Sequence, residues 1–412
     1  MKNITVKLLP LLFLFLLMVL LFSSPDFQGD EGGYVAYATR LSQGEIYPLR
    51  DVSLWWGPGY PIVLIPFVLF KLPLLFAKFL NAFFLFGALL YFYEALAQWV
   101  NKTHATLFTF LLGFYPPLWR EVHLLITENL VFFLICGFIF HFAASNRGNQ
   151  KSRFHLVMAS FFLGYLALTK VFYGYVILIG LLSFLFFYTW QKKEWFKKTT
   201  YIYLLALVWC LPYLLYTYSL TNKIFYWGTS GGSTLYWMSS PYSGDLGDWQ
   251  ANPDVEKLPD LERHREFFAT LTGISEVEVD NKFKERALQN IVHNPKKYLL
   301  NWMANIGRLL FSYPFSYTQQ KITTFFYLIP NMFVVVGFIL SIYPAILKRK
   351  AIPYEMYVLL YFCFIAFGGT SLLSAYDRQF RPLVPILLLW IAFIYTRILT
   401  IQLRPDSEIK SD

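Results

Sequence analysis

The sequence predicts an all-α polytopic membrane protein with about ten transmembrane helices. Of the 412 residues, 57% are apolar and only 15% are charged, whereas soluble globular chains are about 25% charged. The apolar residues form runs of the length that a helix needs to cross about 30 Å of hydrocarbon. These runs lie at about 8–23, 78–98, 106–119, 124–144, 154–169, 173–190, 200–219, 322–347, 354–373 and 380–398.

Short basic segments alternate with the other connections between these runs. They are the N-terminus and the segments at 98–105, 145–153, 191–199, 348–355 and 397–412. The positive-inside rule places them in the cytoplasm together with both termini, in an inner or plasma membrane. The formal net charge of +10 is therefore an orientation signal and does not indicate nucleic-acid binding. A cleaved signal peptide is the alternative for the first run, although an A-x-A-like cleavage site is missing.

The same pattern divides the chain into three parts. Residues 1–220 form an N-terminal transmembrane half with a first outer loop at 24–77, residues 221–321 form an extracytoplasmic loop, and residues 322–412 form the last helices and a cytoplasmic tail. A short apolar run at 61–70, bracketed by prolines, predicts a juxtamembrane helix in the first outer loop. The helical spacing at about 261–310 predicts amphipathic helices along the outer membrane face.

Ionisable residues gather at the outer ends of the predicted helices. A charge near the bilayer centre costs roughly 2.5–3.5 kcal/mol, and ionisable groups that persist in or beside spans tend to be functional. A cavity with carboxylates and several cations suits an anionic ligand and a proton to be removed. The residues are Asp30, Glu31, Arg120, Glu121, His123, Glu128, Lys170, Asp377, Arg378 and Arg381.

Several motifs occur in one order along the chain and together resemble a known group. They are Asp30-Glu31 with Tyr34, the segment from Trp55 to Pro61, Thr127-Glu128, Leu168-Thr169-Lys170, Gly231-Gly232, Asn294-Pro295, and Asp377-Arg378 with Arg381-Pro382. This series resembles the protein O-mannosyltransferase and lipid A aminoarabinose transferase group of the GT-C superfamily. The sequence departs from that group at Gly57, where members often have Lys or His. It also lacks a counterpart of the soluble C-terminal domain of some bacterial members.

The resemblance implies a membrane glycosyltransferase that uses a polyprenyl-phosphate-linked sugar. The acceptor would be a lipid, a glycan or a protein on the extracytoplasmic face, and the transfer would invert the anomeric centre. Such a reaction needs a carboxylate that takes the acceptor proton and cations that stabilise the leaving phosphate. The resemblance implies that Asp30 is the base, with Glu31 beside it.

The remaining candidate residues divide between the phosphate and the sugar or acceptor. Arginine and lysine bind phosphate by bidentate and point-charge contacts respectively. The phosphate-binding candidates are Lys170, Arg378, Arg381 and Arg120. The candidates for the sugar or acceptor groove are Tyr34, Trp55, Trp56, Tyr60 and Glu128.

Each of these residues also has a structural interpretation. Asp30 is suited to cap a helix that starts near Gly32, and Glu31 is suited to solvate the loop. Lys170 has the position of a snorkelling lysine. Arg378 has Asp377 as a neighbour for an ion pair, Glu128 and His123 suit the mouth of a helix, and the tryptophans suit an interfacial aromatic belt.

Two further questions remain open from the residues alone. A transporter or lipid flippase is the alternative function, although such proteins often have repeated halves and broken helices at midplane, and no halves match here. A metal is not expected, because no ligand spacing such as HExxH occurs. The superfamily contains metal-dependent members, so a divalent cation stays open. No other cofactor is expected.

Overall fold

The computed structural model describes residues 2–44, 54–147, 151–318 and 320–399, and these ranges contain helices and loops without a β-strand. Within them, eight helical segments are long and apolar enough to cross a membrane. The predicted fold class, an all-α polytopic membrane protein, is therefore confirmed. Two of the ten runs predicted as spans, 106–119 and 354–373, are not among the eight segments found in these ranges.

The N-terminal half contains nine α-helices, of which six have the length and composition of a membrane span. The spans are α1, α4 and α6 to α9. The helices are α1 (Lys2–Phe22), α2 (Glu31–Ser42), α3 (Gly59–Leu69), α4 (Leu74–Leu96), α5 (Lys102–Gly113), α6 (Glu128–Ser145), α7 (Ser152–Thr169), α8 (Phe172–Gln191) and α9 (Glu194–Thr221).

The apolar run predicted as a span at 106–119 forms a shorter helix. Helix α5 has 12 residues, and at 1.5 Å per residue it is about 18 Å long. It ends at Gly113 because Pro116 follows, and the residue before a proline is disfavoured in the helical region. Tyr115 is accordingly extended, with φ −68° and ψ 109°. The chain reaches α6 through the 3-10 turn Pro116–Leu118 and irregular backbone.

The segment between α9 and the last spans is helical and has a small core of its own. It contains α10 (Ser230–Met238), α11 (Asn252–Lys257), α12 (Arg265–Ala269), α13 (Glu276–His293) and α14 (Pro295–Phe311). The core side chains are Tyr236, Trp237, Val255, Leu261, Phe283 and Ala287.

Helix α14 is amphipathic with its polar face turned inward. Its buried Asn301 donates to the carbonyl oxygens of Met238 and Ser240 at 3.1 and 3.0 Å. Its apolar residues Leu299, Leu300 and Met303 are instead exposed, and their side chains form the outer face of the helix. A helix with this inversion suits a membrane surface, as the spacing at 261–310 predicts.

The C-terminal part contains α15 (Phe325–Leu347), α16 (Tyr354–Ser371) and α17 (Val384–Phe393). The span of α17 extends over Asp377–Ile398. It begins with two 3-10 turns, Asp377–Gln379 and Arg381–Leu383, and ends with a π-turn at Ile394–Ile398. Prolines at 382 and 385 suit this entry because the first turn of a helix leaves its N–H groups unpaired.

The two ends of the bundle differ in their side chains. We call the end at which α1 stops and α6, α8 and the last span begin the site face. Here Lys78 of α4 lies 3.3 Å from Glu31 and donates to the Ser24 carbonyl at 3.1 Å. At the opposite end, Arg147 and Arg397 donate to the backbone carbonyls of Gln98 and Trp99. The residues predicted as outer charges thus lie at one end of the bundle. Some of the basic loops lie at the opposite end.

Candidate functional site

A cavity of about 570 Å³ lies at the site face between the spans and the helical loop. This volume is within the range of pockets that bind small ligands, about 300–1,000 Å³. Its walls come from the start of α2, the segment at 55–57, the turn between α7 and α8, helices α10 and α13, and the segment at 370–382. The first outer loop, the long loop and the last span thus meet at one place.

Asp30 lines this cavity and is directed at an arginine. It occupies the residue position before α2, but its side chain makes no capping hydrogen bond. Its Oδ2 accepts instead from Arg378 Nη1 at 3.3 Å, and both side chains are about one-third exposed. The helix-cap interpretation of this carboxylate therefore does not hold.

Glu128 lies between Lys170 and Arg378 and interacts with both. Its Oε1 accepts from Lys170 Nζ at 2.7 Å and lies 3.9 Å from Arg378 Nε. Lys170 therefore pairs inside the protein and does not snorkel to the interface. We call Asp30, Arg378, Glu128 and Lys170 the cavity cluster, although Glu128 itself is not among the residues that line the cavity. The charges of the four residues alternate in sign along the series.

Glu31 lies beside Asp30 in sequence but faces the protein interior. It is fully buried, and its two oxygens accept from the backbone N–H groups of Leu125 and Gln28, both at 2.8 Å. Lys78 supplies the opposite charge at 3.3 Å. Glu31 is not among the residues that line the cavity. The loop-solvating interpretation is thus wrong, because the side chain ties the first outer loop to α4 and to the segment before α6.

Arg381 and Arg120 are also outside the cavity. Arg381 is 5% exposed at its side chain and donates to Asp377 and Glu121, each at 2.7 Å, and to the Pro117 carbonyl at 2.9 Å. Asp377 therefore pairs with Arg381, so the expected Asp377–Arg378 pair does not form. Arg120 is 58% exposed and donates to the Tyr327 hydroxyl.

The aromatic candidates divide between the cavity and the core. Tyr34, Trp55 and Trp56 line the cavity, and the Tyr34 and Trp56 rings lie 5.4 Å apart. Burial, followed by the charges of Glu128 and Asp30, holds the pKa of the Tyr34 hydroxyl well above its usual value. Tyr60 is buried beneath Tyr34 and is not among the lining residues.

Gly57 and Gly59 fix the position of the turn that carries Lys170. A Cβ atom on Gly57 would lie 2.1 Å from the Leu168 carbonyl oxygen, and one on Gly59 would lie 2.4 Å from Thr169 Oγ1. Only glycine permits this approach of the first outer loop to the end of α7. The departure from Lys or His at position 57 therefore follows from packing. Lys170 at the end of α7 and Arg378 at the start of the last span are two of the cations that line the cavity.

The cavity is also lined by residues that are not among the candidates predicted from the sequence. Trp249 lies across from Trp55 with ring centres 6.2 Å apart, and Tyr376 donates to its carbonyl at 2.7 Å. Lys284 reaches the cavity from α13 and pairs with Asp280 at 2.5 Å. Asp280 also accepts from the Gly232 N–H at 2.7 Å, which accounts for the Gly-Gly motif. No motif spacing links these distant residues, so only the fold identifies them.

No group of three or more His, Cys, Asp or Glu side chains suited to a metal ion occurs in the described part of the chain. The carboxylates of the cavity cluster are instead paired with Lys170 and Arg378.

No protein-family model matches the sequence, and no curated protein sequence matches it. Among solved structures, the chain is similar to the archaeal oligosaccharyltransferase AglB from Archaeoglobus fulgidus, in complex with an inhibitory peptide and a dolichol-phosphate. The TM-score is 0.53 at 12% identity, over 94% of this chain and 50% of that one. An oligosaccharyltransferase from the same organism, tethered to an acceptor peptide with the NVT sequon, has a TM-score of 0.53 at 14% identity, over 94% and 49%.

A third solved structure is that of ArnT from Cupriavidus metallidurans bound to undecaprenyl phosphate. It has 14% identity over 96% of this chain and 78% of that one, and its TM-score of 0.41 is too low to support an argument. The present chain spans about half the length of the oligosaccharyltransferase chains. At these identities the likeness concerns the fold alone, and this chain shares that fold with the two archaeal oligosaccharyltransferase structures.

Proposed function

We propose that the chain is an integral membrane glycosyltransferase that uses a polyprenyl-phosphate-linked sugar. The acceptor is a lipid, a glycan or a protein on the extracytoplasmic face. The observation that carries the proposal is the cavity in which a carboxylate, Asp30, lies beside the cations Arg378 and Lys170. AglB was solved with a dolichol-phosphate, which supports a lipid-phosphate ligand for this fold.

In the proposed reaction, Asp30 takes the proton from the acceptor group as that group attacks the anomeric carbon. The bond between that carbon and the phosphate oxygen breaks, and the lipid phosphate leaves with the bonding electrons. Attack on the face opposite the phosphate inverts the anomeric centre, through an oxocarbenium-like state as in glycoside hydrolysis. Polar groups fixed in a site with little water stabilise such charge far better than water does.

Lys170 and Arg378 are the proposed phosphate ligands. Their charges are balanced by Glu128 and Asp30, so the cavity cluster is formally neutral. A phosphate that binds Arg378 competes with Asp30 for the guanidinium and thereby releases the carboxylate for its work as a base. Glu128 remains with Lys170 and keeps it in position.

Two of the expected site residues receive positioning roles in this proposal. Glu31 holds the loop on which Asp30 stands, because it binds the backbone at Gln28 and Leu125. Arg381 holds the start of the last span, on which Arg378 stands, because it binds Glu121 and the Pro117 carbonyl.

The proposal puts the cavity on the outer side of the membrane, and the basic loops support this because such loops favour the cytoplasmic side. Single cysteines at positions 150 and 250 test this orientation with a reagent that does not cross membranes. Labelling at position 250 alone in intact cells is expected. Labelling at both positions, or at 150 alone, contradicts the orientation.

The decisive experiment is sugar transfer by purified protein in lipid nanodiscs. Asp30→Asn keeps the size of the side chain but removes the base, and general-base catalysis contributes about 10²–10⁴-fold. A loss of that order is expected, with an unchanged melting temperature. The matched control is Asp26→Asn, an exposed carboxylate of the same loop. Unchanged transfer by Asp30→Asn contradicts the assignment of the base.

The same preparation tests the metal and the alternative function. Transfer is expected to continue in EDTA, because the cavity cluster provides cations for the phosphate without a metal; its abolition and recovery with Mg²⁺ or Mn²⁺ would assign a divalent cation. A transporter or flippase is indicated if sugar lipids cross the bilayer of proteoliposomes while no sugar is transferred.

A further inference from the structure

Lys284 is a cavity-lining cation that lies outside the cavity cluster. Within the described part of the chain, the basic residues that line the cavity are Lys170, Arg378 and Lys284. Lys170 and Arg378 stand at the ends of spans, whereas Lys284 stands on α13 of the helical loop. Its side chain is 39% exposed. The cavity therefore has a cation that the proposed binding of the lipid phosphate does not use.

A buried carboxylate fixes the position of this cation. Asp280 stands one turn earlier on α13 and is fully buried, and its Oδ2 accepts from Lys284 Nζ at 2.5 Å. The same carboxylate accepts from the Tyr226 hydroxyl and from the Gly232 N–H, both at 2.7 Å. An ammonium group has three donor positions, and Asp280 takes one of them. Lys284 therefore keeps donor positions for a ligand.

The space beside Lys284 is open to the cavity. Gly231 lines the cavity at the start of α10. Outside its own helix, a Cβ atom added to Gly231 would have Lys284 Cε as its one neighbour within 4 Å, at 3.9 Å. A Cβ atom on the next residue, Gly232, would instead lie 2.3 Å from the Asp280 carbonyl oxygen. The wall is thus tightly packed at Gly232 and open at Gly231, so a ligand can reach the end of the Lys284 side chain.

The location of Lys284 suits the acceptor better than the lipid phosphate. Lys170 and Arg378 stand where spans reach the site face, at the level where the phosphate of a membrane lipid lies. Lys284 belongs to the helical loop that covers this face. Asp30, the proposed base, lines the same cavity. An acceptor whose reacting group is at Asp30 therefore shares the cavity with a cation that the lipid phosphate leaves unused.

We propose that Lys284 is an acceptor-binding residue and that the acceptor carries an anionic group, a carboxylate or a phosphate, which pairs with its ammonium group. An ammonium group binds such oxygens as a compact charge. Asp280 already holds the ammonium in place, so little conformational freedom is lost when the anion binds. This inference rests on the proposed function and specifies the acceptor of that reaction.

The test compares two soluble probes that differ in one charge. The full-length protein in nanodiscs is saturated with undecaprenyl phosphate, so that Lys170 and Arg378 are occupied. Dissociation constants of 4-nitrophenyl β-glucuronide and of the neutral 4-nitrophenyl β-glucoside are then measured by saturation-transfer NMR. The wild-type protein is expected to prefer the glucuronide about fivefold, the upper end of what a partly exposed ion pair contributes.

Three variants make the result specific. Lys284→Gln is expected to abolish the preference by weakening the glucuronide alone, and Lys284→Arg, which keeps the charge, is expected to retain it. Lys282→Gln is the matched control, because Lys282 stands on the same helix, donates to the Thr270 carbonyl and does not line the cavity. It is expected to keep the preference. Melting temperatures show that each variant is folded.

A second arm repeats the titration with undecaprenyl-phosphate-linked glucose in place of undecaprenyl phosphate. A preference that persists supports an acceptor site, whereas its loss assigns the anion to the sugar of the donor and overturns the acceptor assignment.

The outcomes separate this inference from the proposed function. No preference in the wild-type protein, or an unchanged preference in Lys284→Gln, overturns the role of Lys284 and leaves the lipid-phosphate donor standing. Failure of the wild-type protein to bind undecaprenyl phosphate overturns the proposed donor, and the acceptor assignment with it.

Discussion

Arg378 and Arg381 stand three residues apart at the start of one span and have opposite environments. Arg378 borders a cavity, is one-third exposed and has carboxylates at 3.3 and 3.9 Å. Among the described residues, its Nε has no hydrogen-bond partner. Arg381 is 5% exposed and binds two carboxylates and a carbonyl. Arg378 therefore has a donor group left for a ligand, whereas the donor groups of Arg381 all bind other residues of the protein.

This difference separates binding groups from structural ones better than residue type does. A buried ion pair whose donors are all used leaves no room for a phosphate, and breaking it leaves uncompensated charge in the interior. A pair that is one-third exposed beside a cavity, such as Arg378 and Asp30, exchanges partners at lower cost. The same contrast distinguishes Asp30 from Glu31, which are neighbours in sequence. Asp30 lines the cavity, whereas Glu31 is buried in the protein interior.

The largest effects on stability are expected at the buried arginine. Arg381→Gln leaves Glu121 without its cation and leaves Asp377 with only Arg120, 4.0 Å away. The change is expected to cost about 3–5 kcal/mol. Arg378→Gln is expected to change the free energy of unfolding far less but to weaken binding of the lipid phosphate at least tenfold. Thermal melting and lipid titration of both variants measure this. Equal losses of stability in the two variants would contradict the distinction between a structural Arg381 and a ligand-binding Arg378.

Glu31 provides the second comparison, with Asp30. Glu31→Gln keeps acceptor capacity for one backbone N–H but removes the charge opposite Lys78, so a loss of about 2–3 kcal/mol in stability is expected. Transfer by the folded fraction is expected to remain within about tenfold of wild type, because Gln keeps the loop in place. A loss of transfer as large as that of Asp30→Asn, at unchanged stability, would instead make Glu31 a catalytic residue.

Gly57→Ala tests how closely the first outer loop must approach the turn with Lys170. The new Cβ would lie 2.1 Å from the Leu168 carbonyl oxygen, and such overpacking costs about 1–3 kcal/mol. Lower affinity for the lipid phosphate is expected too, because the turn is displaced. Gly368→Ala is the matched control, since nothing lies within 4 Å of its Cβ position. Similar melting temperatures for both variants would contradict the packing role.

The smallest effect is expected in the helical loop, away from the cavity cluster. Burial acts to raise the pKa of Asp245, but hydrogen bonds from His264, Ser240 and Tyr317 hold it below its usual value near 3.8. This carboxylate therefore stabilises the loop above about pH 4, and that contribution is lost as the pH falls through the lower folded pKa. Limited proteolysis of the loop between pH 6 and 3 measures this loss of stability.

In Asp245→Asn, the pH-dependent part of the loop's resistance to proteolysis is expected to disappear. Asp260→Asn changes an exposed carboxylate of the same loop and serves as the control, in which the pH dependence is expected to persist. Protection that is independent of pH in the wild-type protein would contradict the role of Asp245.

Hydropathy and charge were sufficient to predict the helical membrane fold and the end of the bundle that carries the site. A span must satisfy its own backbone in hydrocarbon, so its length is visible in one apolar run. The prediction failed at 106–119 because Pro116 ends the helix early, a local effect that an average over apolar residues hides. Asp30, Lys170 and Arg378 were also visible, because charges at the ends of spans are rare enough to be conspicuous.

The sequence by itself determined which residues are charged and which end of the bundle they occupy. Only the tertiary structure decided which of them line the cavity: Glu31 and Arg381 turned inward, while Lys284 joined the cavity from the distant helix α13. The physical reason is that hydropathy is a property of one segment, whereas an unpaired donor or a saturated ion pair exists only between segments that the fold brings together.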